Sequence, residues 1–454
     1  MNVLLLLIML AALGLGGCAG FSKDGGFDAV AHATKTHLAK DVQWPRTEGE
    51  QAKVMEQVSG LLANPLSVDD AVQIALLNNR ALQASFSELG ISEADLVQSG
   101  RLPNPRFDLR HAGSAGQSDI EESLSFNVLW LLTMPFVHEI EKRRFAQMQN
   151  SVVLSVMQLA KETREAFIAA VAARDSVDYL RQVVAAAETS AELARSMVAA
   201  GNWNRQDEFR ERIFYADAIR GMTQAELSED AAREKLTRLM GLPAPELGAR
   251  PAFKLAEHLP QLPQSIEGLP DVDAAILQDR IDLQLQRLEV DELRRRLNLT
   301  NATHFVNVLD LGPMRVQQGT PRQPYETGYA LSLEVPIFDG GSIRVKRSAA
   351  IYAQSVDRFA QAAIDARSQI RQAYANYRAS FDLARQQRDE VVPLRQAVAE
   401  QNLLLYNASL ISIFELLAGA REQVLGFDEY IHRVRDFWIA KSELDSALLG
   451  NSVP

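Results

Sequence analysis

The chain repeats itself. Segments 66–241 and 271–450 carry one order of elements: a helix, a strand pair, a very long helix, a tight turn and a returning helix. Val68-Asp69-Asp70-Ala71-Val72 is echoed by Val272-Asp273-Ala274-Ala275-Ile276, and Leu239-Met240-Gly241 by Leu448-Leu449-Gly450. An offset that holds near ~200 residues marks a duplication, which has to be settled before any local reading. Two copies are too few to stack as a solenoid, so the pair must build its core in another way.

The 454 residues suffice for two or three domains of ordinary size. The net charge of -11 argues against nucleic acid, whose phosphates need a basic face. Residues 1–17 read as a signal peptide: Val3–Leu15 is apolar and too short to span a membrane, although no Lys or Arg precedes it. Leu15-Gly16-Gly17-Cys18 has the form of a bacterial lipobox. The expectation is a diacylglycerol and an N-acyl chain on Cys18, with palmitate among the acyl groups; the alternative is a plain secretory signal. Ala19 rather than Asp follows, as in lipoproteins sent to the outer membrane. Cys18 is the only cysteine, so no internal disulfide or thiolate metal site is available. No later stretch is apolar for ~18 residues, so a membrane could be crossed only by strands.

Residues 18–65 read as a lipid-anchored arm. In repeat 1 (66–241) the strands are expected at about 105–136 and the helices at about 67–100, 137–200 and 206–240. In repeat 2 (271–450) the strands are expected at about 302–336 and the helices at about 272–300, 340–408 and 412–449. Between them, residues 242–270 hold Pro243, Pro245, Pro251, Pro260, Pro263 and Pro270, which forbid a continuous helix and mark a linker. Val356, Phe359, Ala363, Ala366, Ile370, Ala373, Tyr377, Ser380 and Ala384 step by threes and fours, a heptad seam. Val153, Val156, Ala160, Thr163, Phe167 and Ala170 form a shorter one. Pro393 is expected to kink the second long helix.

The strand candidates alternate. Leu124, Phe126, Val128 and Trp130 interleave with Ser123, Ser125, Asn127 and Leu129; Tyr329, Leu331, Leu333 and Val335 with Ala330, Ser332 and Glu334. Shorter partners precede them, Phe107, Leu109 and His111 against Arg106, Asp108 and Arg110, and then Thr303–Leu309. Loops at Gly113–Ser118 and Gly312–Gln323 join each pair. Period two with one apolar face suits a barrel strand between lipid and water, or two ordinary half-buried hairpins. About four strands cannot close a barrel, and open edges do not survive in lipid. Transmembrane strands therefore require several copies, and three would supply about twelve.

Two such repeats behind a lipobox resemble the TolC-type outer membrane efflux family, lipoprotein branch, over about residues 60–450. The stretches that carry the resemblance are Val335-Pro336-Ile337-Phe338-Asp339-Gly340-Gly341, Ala199-Ala200-Gly201-Asn202-Trp203-Asn204 and Tyr406–Glu415. It implies a mainly α protein with a transmembrane β-barrel portion. Its homotrimer would form a twelve-strand barrel in the outer membrane, continued by a twelve-helix α-barrel in the periplasm. It further implies a passive conduit, fed by an inner-membrane pump through a periplasmic adaptor. The turns Gly201–Asn204 and Ser409–Ser412 would form the periplasmic tip. Glu415 would ring the lumen with negative charge, and Asp207 and Tyr406 match positions whose links hold that tip closed. Ile411 stands where a basic partner is expected, which favours an apolar constriction over a salt-bridge latch. Read without the family, Glu415 and Asp207 are first-turn residues favoured by the helix dipole. Phe136-Val137-His138-Glu139-Ile140 departs from the family's Gly-rich pattern at the matching point of repeat 1.

At Gly340-Gly341 the Lys-Ser/Thr of a phosphate-binding loop is missing, so the glycines read as a strand-to-helix turn that Asp339 or Ser342 could cap. Lys142-Arg143-Arg144 and Arg344, Lys346 and Arg347 follow the strand pairs, either near lipid headgroups or at exposed helix starts. The seven histidines show no metal spacing and no nucleophile elbow occurs, so no catalytic residue, cofactor or metal is expected. The competing reading is a lipid-anchored periplasmic coiled coil that tethers envelope layers. Substrate and pump class are not encoded in these patterns.

Overall fold

A computed structural model describes residues 20–114, 117–243, 253–266, 268, 279–319 and 323–450. The signal segment, Cys18, the echo at 272–276 and the linker prolines Pro245, Pro251 and Pro270 lie outside the described residues. The elements run α1 (Phe27–Leu38), α2 (Glu48–Leu62), α3 (Val68–Asn78), α4 (Arg80–Ser99), β1 (Arg106–Ser114), β2 (Gln117–Asn127), α5 (Val128–Ala199) and α6 (Arg205–Leu239). Repeat 2 continues with α7 (Ile281–Thr303), β3 (Val308–Gln317), β4 (Glu326–Glu334) and α8 (Ser342–Gln386). A π-turn (Gln387–Val391), α9 (Val392–Asn407) and α10 (Ile413–Leu449) complete it. The described chain forms two compact units. One holds Phe86–Val152 and Asp282–Ile364 with the residues up to Val30; the other holds Ala31–Ser85, Val153–Ile281 and the chain from Asp365.

The first of these units contains the sheet and the helix segments beside it. There Phe27 and Phe86 meet edge to face at 5.0 Å, and Arg143 of α5 pairs with Asp291 of α7 at 3.0 Å. The other unit carries the apolar cores. Val54, Ile74, Phe167, Val171, Leu236 and Met240 pack in one cluster; Tyr377, Phe381, Phe437 and Leu444 pack in another, one for each repeat. The first heptad seam is buried from Val153 to Ala170. The second is buried at Ala366, Ile370, Tyr377 and Ala384, but at its ends Ser355 is buried in place of Val356, and Phe381 beside Ser380. A straight helix turns every 3.6 residues, so a seam read at 3.5 drifts off the buried face with length.

The expected helix at 67–100 is two helices. Asn79 leaves the helical region with ψ 119°. The amides of Asn78 and Asn79 donate to Met240, Gly241 and Leu239 carbonyls, which end α6 without helical partners. Repeat 2 solves the same problem with another residue: fully buried Arg280 donates to the Ala447 carbonyl at 2.7 Å. In the linker, Leu66 and Leu255 form a parallel bridge, and Phe253 and Leu255 join the repeat 1 core. The linker is therefore packed, and no helix occurs among its described residues.

The strand limits are corrected too. Val128, Leu129 and Trp130 belong to α5, which starts nine residues before the expected 137. The apolar run Val128–Leu132 has no true alternation, and the Asn127 side chain accepts from the Trp130 N–H at 2.6 Å, turning the chain into a helix. Pro135 sits inside that helix, where the Thr133 hydroxyl bonds the Leu129 carbonyl at 2.8 Å. In repeat 2, Thr303 ends α7, and residues 312–317 belong to β3 rather than to a loop. Pro393 lies in the first turn of α9, directly after the π-turn. A proline removes one N–H and crowds the preceding turn, and the wider π-turn absorbs that misfit.

Candidate functional site

The four strands form one antiparallel sheet in the order β1-β2-β3-β4. β2 pairs with β3, so the strand pairs of the two repeats are joined, and β1 and β4 are left as edges. The register sorts side chains between faces. One face carries Phe107, Leu124, Phe126, Leu311, Leu331 and Leu333; the other carries Asp108, Arg110, Glu121, Ser123, Asp310 and Ser332. Arg110 and Glu121 pair at 3.2 Å on the polar face. On the apolar face Phe107 and Leu109 of β1, Phe126 of β2, Leu311 of β3 and Tyr329, Leu331 and Leu333 of β4 are all exposed, so apolar side chains are open on every strand.

The β4 strand reaches α8 through Val335–Gly341. Gly341 has φ 70°, and a Cβ there would lie 2.0 Å from the His304 carbonyl oxygen. The Asp339 carboxylate accepts from the Gly341 N–H at 2.9 Å, so of the two expected caps Asp339 is the one that closes this turn. Repeat 1 needs no such turn because α5 follows β2 directly. Phe136 is exposed on it, and Ser99 Oγ lies 3.1 Å from His138 Nδ1.

The two helix turns match residue for residue. Gly201 (φ 78°) and Ser409 (φ 62°) hold the left-handed position after α5 and α9. The Asn202 N–H donates to Met197 O and the Leu410 N–H to Leu405 O, closing both helix ends alike. Asn204 and Ser412 then cap α6 and α10, accepting from the Asp207 and Glu415 N–H groups at 2.9 and 3.2 Å. The Glu415 carboxylate accepts in return from the Ser412 N–H at 2.8 Å, a complete capping box. Asp207 is held by Asn204 and Arg210 within its own turn. Trp203, Tyr406 and Ile411 are partly exposed beside the turns. The structure thus unites the predicted residues within each turn, while the partners of Asp207 do not include Tyr406.

Sequence reading missed the tie that joins the repeats near these turns. Glu211 of α6 is 0% exposed. Its carboxylate accepts from Ser190 Oγ of α5 at 2.6 Å and pairs with Arg421 of α10, whose guanidinium lies 4.3 Å from the Phe214 ring centre. Glu211, Phe214 and Ala218 are spaced as a seam, so a charge in a heptad position was the available signal. Farther along, Tyr179 packs on Phe427 at 4.9 Å; burial, then the charge of Asp428, pushes its hydroxyl up to about 12.

Arg143 and Arg144 are not helix starts, since they lie well inside α5, where they pair with Asp291 and Glu292 of α7. Burial acts against the Asp291 charge, but hydrogen bonds from Arg295, Arg143 and Arg294 outweigh it and hold the carboxyl at about 2. Burial pushes Glu292 and Glu165 the other way. Among the described residues, no group of three or more His, Cys, Asp or Glu is placed to hold a metal ion, and no helix is long and apolar enough to cross a membrane.

No family model matches the chain. Over 287 residues it is 25% identical to the cobalt-zinc-cadmium resistance protein CzcC of Cupriavidus metallidurans. That alignment takes in 61% of this chain and 64% of CzcC, so the chain spans less than two thirds of that relative's length. Solved structures share the fold of the chain. The CmeC outer membrane channel of Campylobacter jejuni superposes with TM-score 0.70 at 13% identity, covering 92% of each chain. The open-state MtrE outer membrane channel of Neisseria gonorrhoeae gives TM-score 0.69 at 14% identity, over 85% of this chain and 89% of that one. The duplicated elements, the two-faced sheet and these likenesses lead to one conclusion: the chain has the fold of the TolC-type outer membrane efflux family.

Proposed function

We propose that this protein is the outer membrane channel of an export system, a passive conduit that receives substrate from an inner-membrane pump through a periplasmic adaptor. One observation carries the reading: a four-strand sheet with one mainly apolar face, one mainly polar face and two unpaired edges. Such a sheet is stable in lipid only when another copy pairs with each edge, because hydrocarbon offers no partner to a bare N–H or C=O. Three copies supply about twelve strands, enough for a water-filled lumen lined by Asp108, Arg110 and Asp310. The long helices then continue the passage, with the Gly201–Asn204 and Ser409–Ser412 turns at its periplasmic tip. In this reading Cys18 carries the lipid anchor, Glu415 lines the constriction, and Ile411 makes that constriction partly apolar.

CzcC is named for resistance to cobalt, zinc and cadmium. Divalent cations of that kind are the substrate class that this likeness supports first. The test is reconstitution of the purified full-length protein in planar bilayers, with and without Glu415→Ala. A conductance that requires the trimer and changes in the variant is the expected result. A monomeric, water-soluble protein without conductance would end the proposal. For substrate, deletion of the gene should sensitise cells to zinc, cobalt or cadmium; unchanged tolerance to all three would remove metals from the reading.

A further inference from the structure

The apolar band on the strands is too short for a membrane. On the apolar face of β3 it runs from Leu309 to Pro313, and Arg315 follows, ion-paired with Glu122 of β2 across the register. Four residue steps at ~3.3 Å, tilted by ~45°, cover only ~10 Å of the ~25 Å apolar height of an outer membrane barrel. The charged pair blocks extension at the hairpin end. The missing height has to come from the helical end.

That end carries the surface required. Tyr329, Leu331 and Leu333 share the apolar face of β4, and exposed apolar residues continue at Val335 and Ile337, where the chain leaves the strand and the Ile337 N–H donates to the Val335 carbonyl at 2.9 Å. Ile337 is 76% exposed, and Phe338 beside it is 99% exposed. In repeat 1, Val128–Val137 holds no charged residue, and ten helical residues rise ~15 Å. Leu132 and Phe136, four apart on one helix face, are 65% and 63% exposed, whereas the next residue of that stripe, Ile140, is 4% exposed. The apolar stripe thus stays open for the missing distance and is then covered by protein. Charge begins where it closes on α5, with Glu139, Glu141 and Lys142; in repeat 2 it begins at Asp339, directly after Phe338, and continues with exposed Arg344, Lys346 and Arg347 on α8.

We infer that the first turns of α5 and the Ile337-Phe338 loop form a collar that seats in the phospholipid leaflet on the helical side of the sheet. Leu132, Phe136, Ile337 and Phe338 contact acyl chains there, and the basic residues at the start of α8 meet lipid phosphates. Strand band and collar together give ~25 Å, the height that the strands alone lack. The inference rests on the channel reading, since it takes the apolar face of the sheet to be the lipid face.

The experiment places nitroxide labels, one at a time, on Leu331→Cys, Leu132→Cys and Phe338→Cys in the full chain carrying Cys18→Ala. Each protein is reconstituted in phosphatidylethanolamine–phosphatidylglycerol vesicles. Collision with oxygen, which partitions into lipid, is compared with collision with an aqueous nickel chelate. Loss of nickel access with gain of oxygen access is expected at all three positions. Lipid access at Leu331 but nickel access at Leu132 and Phe338 would overturn the collar and leave the channel standing. Nickel access at Leu331 as well would overturn both. Labels at Leu132 and Phe338 that neither reagent reaches, with dipolar broadening between copies, would show a second copy over the collar and overturn it.

Discussion

Ser409 occupies a left-handed backbone position that its counterpart in repeat 1 fills with Gly201. A side chain there costs ~1 kcal/mol, so Ser409→Gly should raise stability by up to that amount and Gly201→Ala should lower it by at least as much, read from chemical denaturation. The pair Glu211–Arg421 belongs to another class. Removing Arg421 leaves the fully buried Glu211 charge without its ion-pair partner, so Arg421→Ala should cost ~3–5 kcal/mol, and Glu211→Ala should cost less because Arg421 is 19% exposed. The double variant Glu211→Met with Arg421→Met should recover most of that; additive losses in the cycle would show that the two charges act independently. Two carboxylates bear opposite signs with pH. Asp291 is depressed to about 2, so its contribution is fully present above the unfolded pKa near ~4 and is lost as pH falls from there through 2. Glu165 is raised by burial, so ionising it costs stability at neutral pH and acidification relieves that cost. Melting temperatures against pH should therefore fall less steeply below pH ~4 in Asp291→Asn than in the wild type, and Glu165→Gln should match or exceed the wild type at pH 7.

At the scale of elements, the helices are set by stripes and caps. An α5 of 72 residues is ~108 Å long, and no single cap could hold it; the residues buried at intervals along it, from Ile140 through the Val153–Ala170 seam to Ala194, do. Ile370 lies wholly buried on the matching seam of α8, and Ile370→Ala should cost ~2–4 kcal/mol without altering the sheet. The seams and both turns were legible in sequence because apolar spacing and the residues Asn204, Asp207, Ser412 and Glu415 act locally. The split at Asn79, the packed linker around Leu255 and the start of α5 at Val128 were not. Each depends on a partner far along the chain or, at Val128, on a cap that outweighs an apolar run compatible with either period.

At the scale of the whole molecule, the unpaired β1 and β4 edges make a prediction that no single chain can satisfy. Cysteines paired from β1 and β4, such as Leu109→Cys with Tyr329→Cys, should cross-link between copies in membranes and yield trimers on denaturing gels; cross-links confined to single chains would contradict edge-to-edge closure. The sequence by itself determined the duplication, the two-faced strands, the long seams and the capped turns, because periodicity and capping are decided by neighbours a few residues away. Only the tertiary structure decided that β2 joins β3, that Glu211 meets Arg421, and that the apolar band ends at the Glu122–Arg315 pair. Those contacts bring together residues about two hundred positions apart, and their partners are chosen by packing, which no local pattern records.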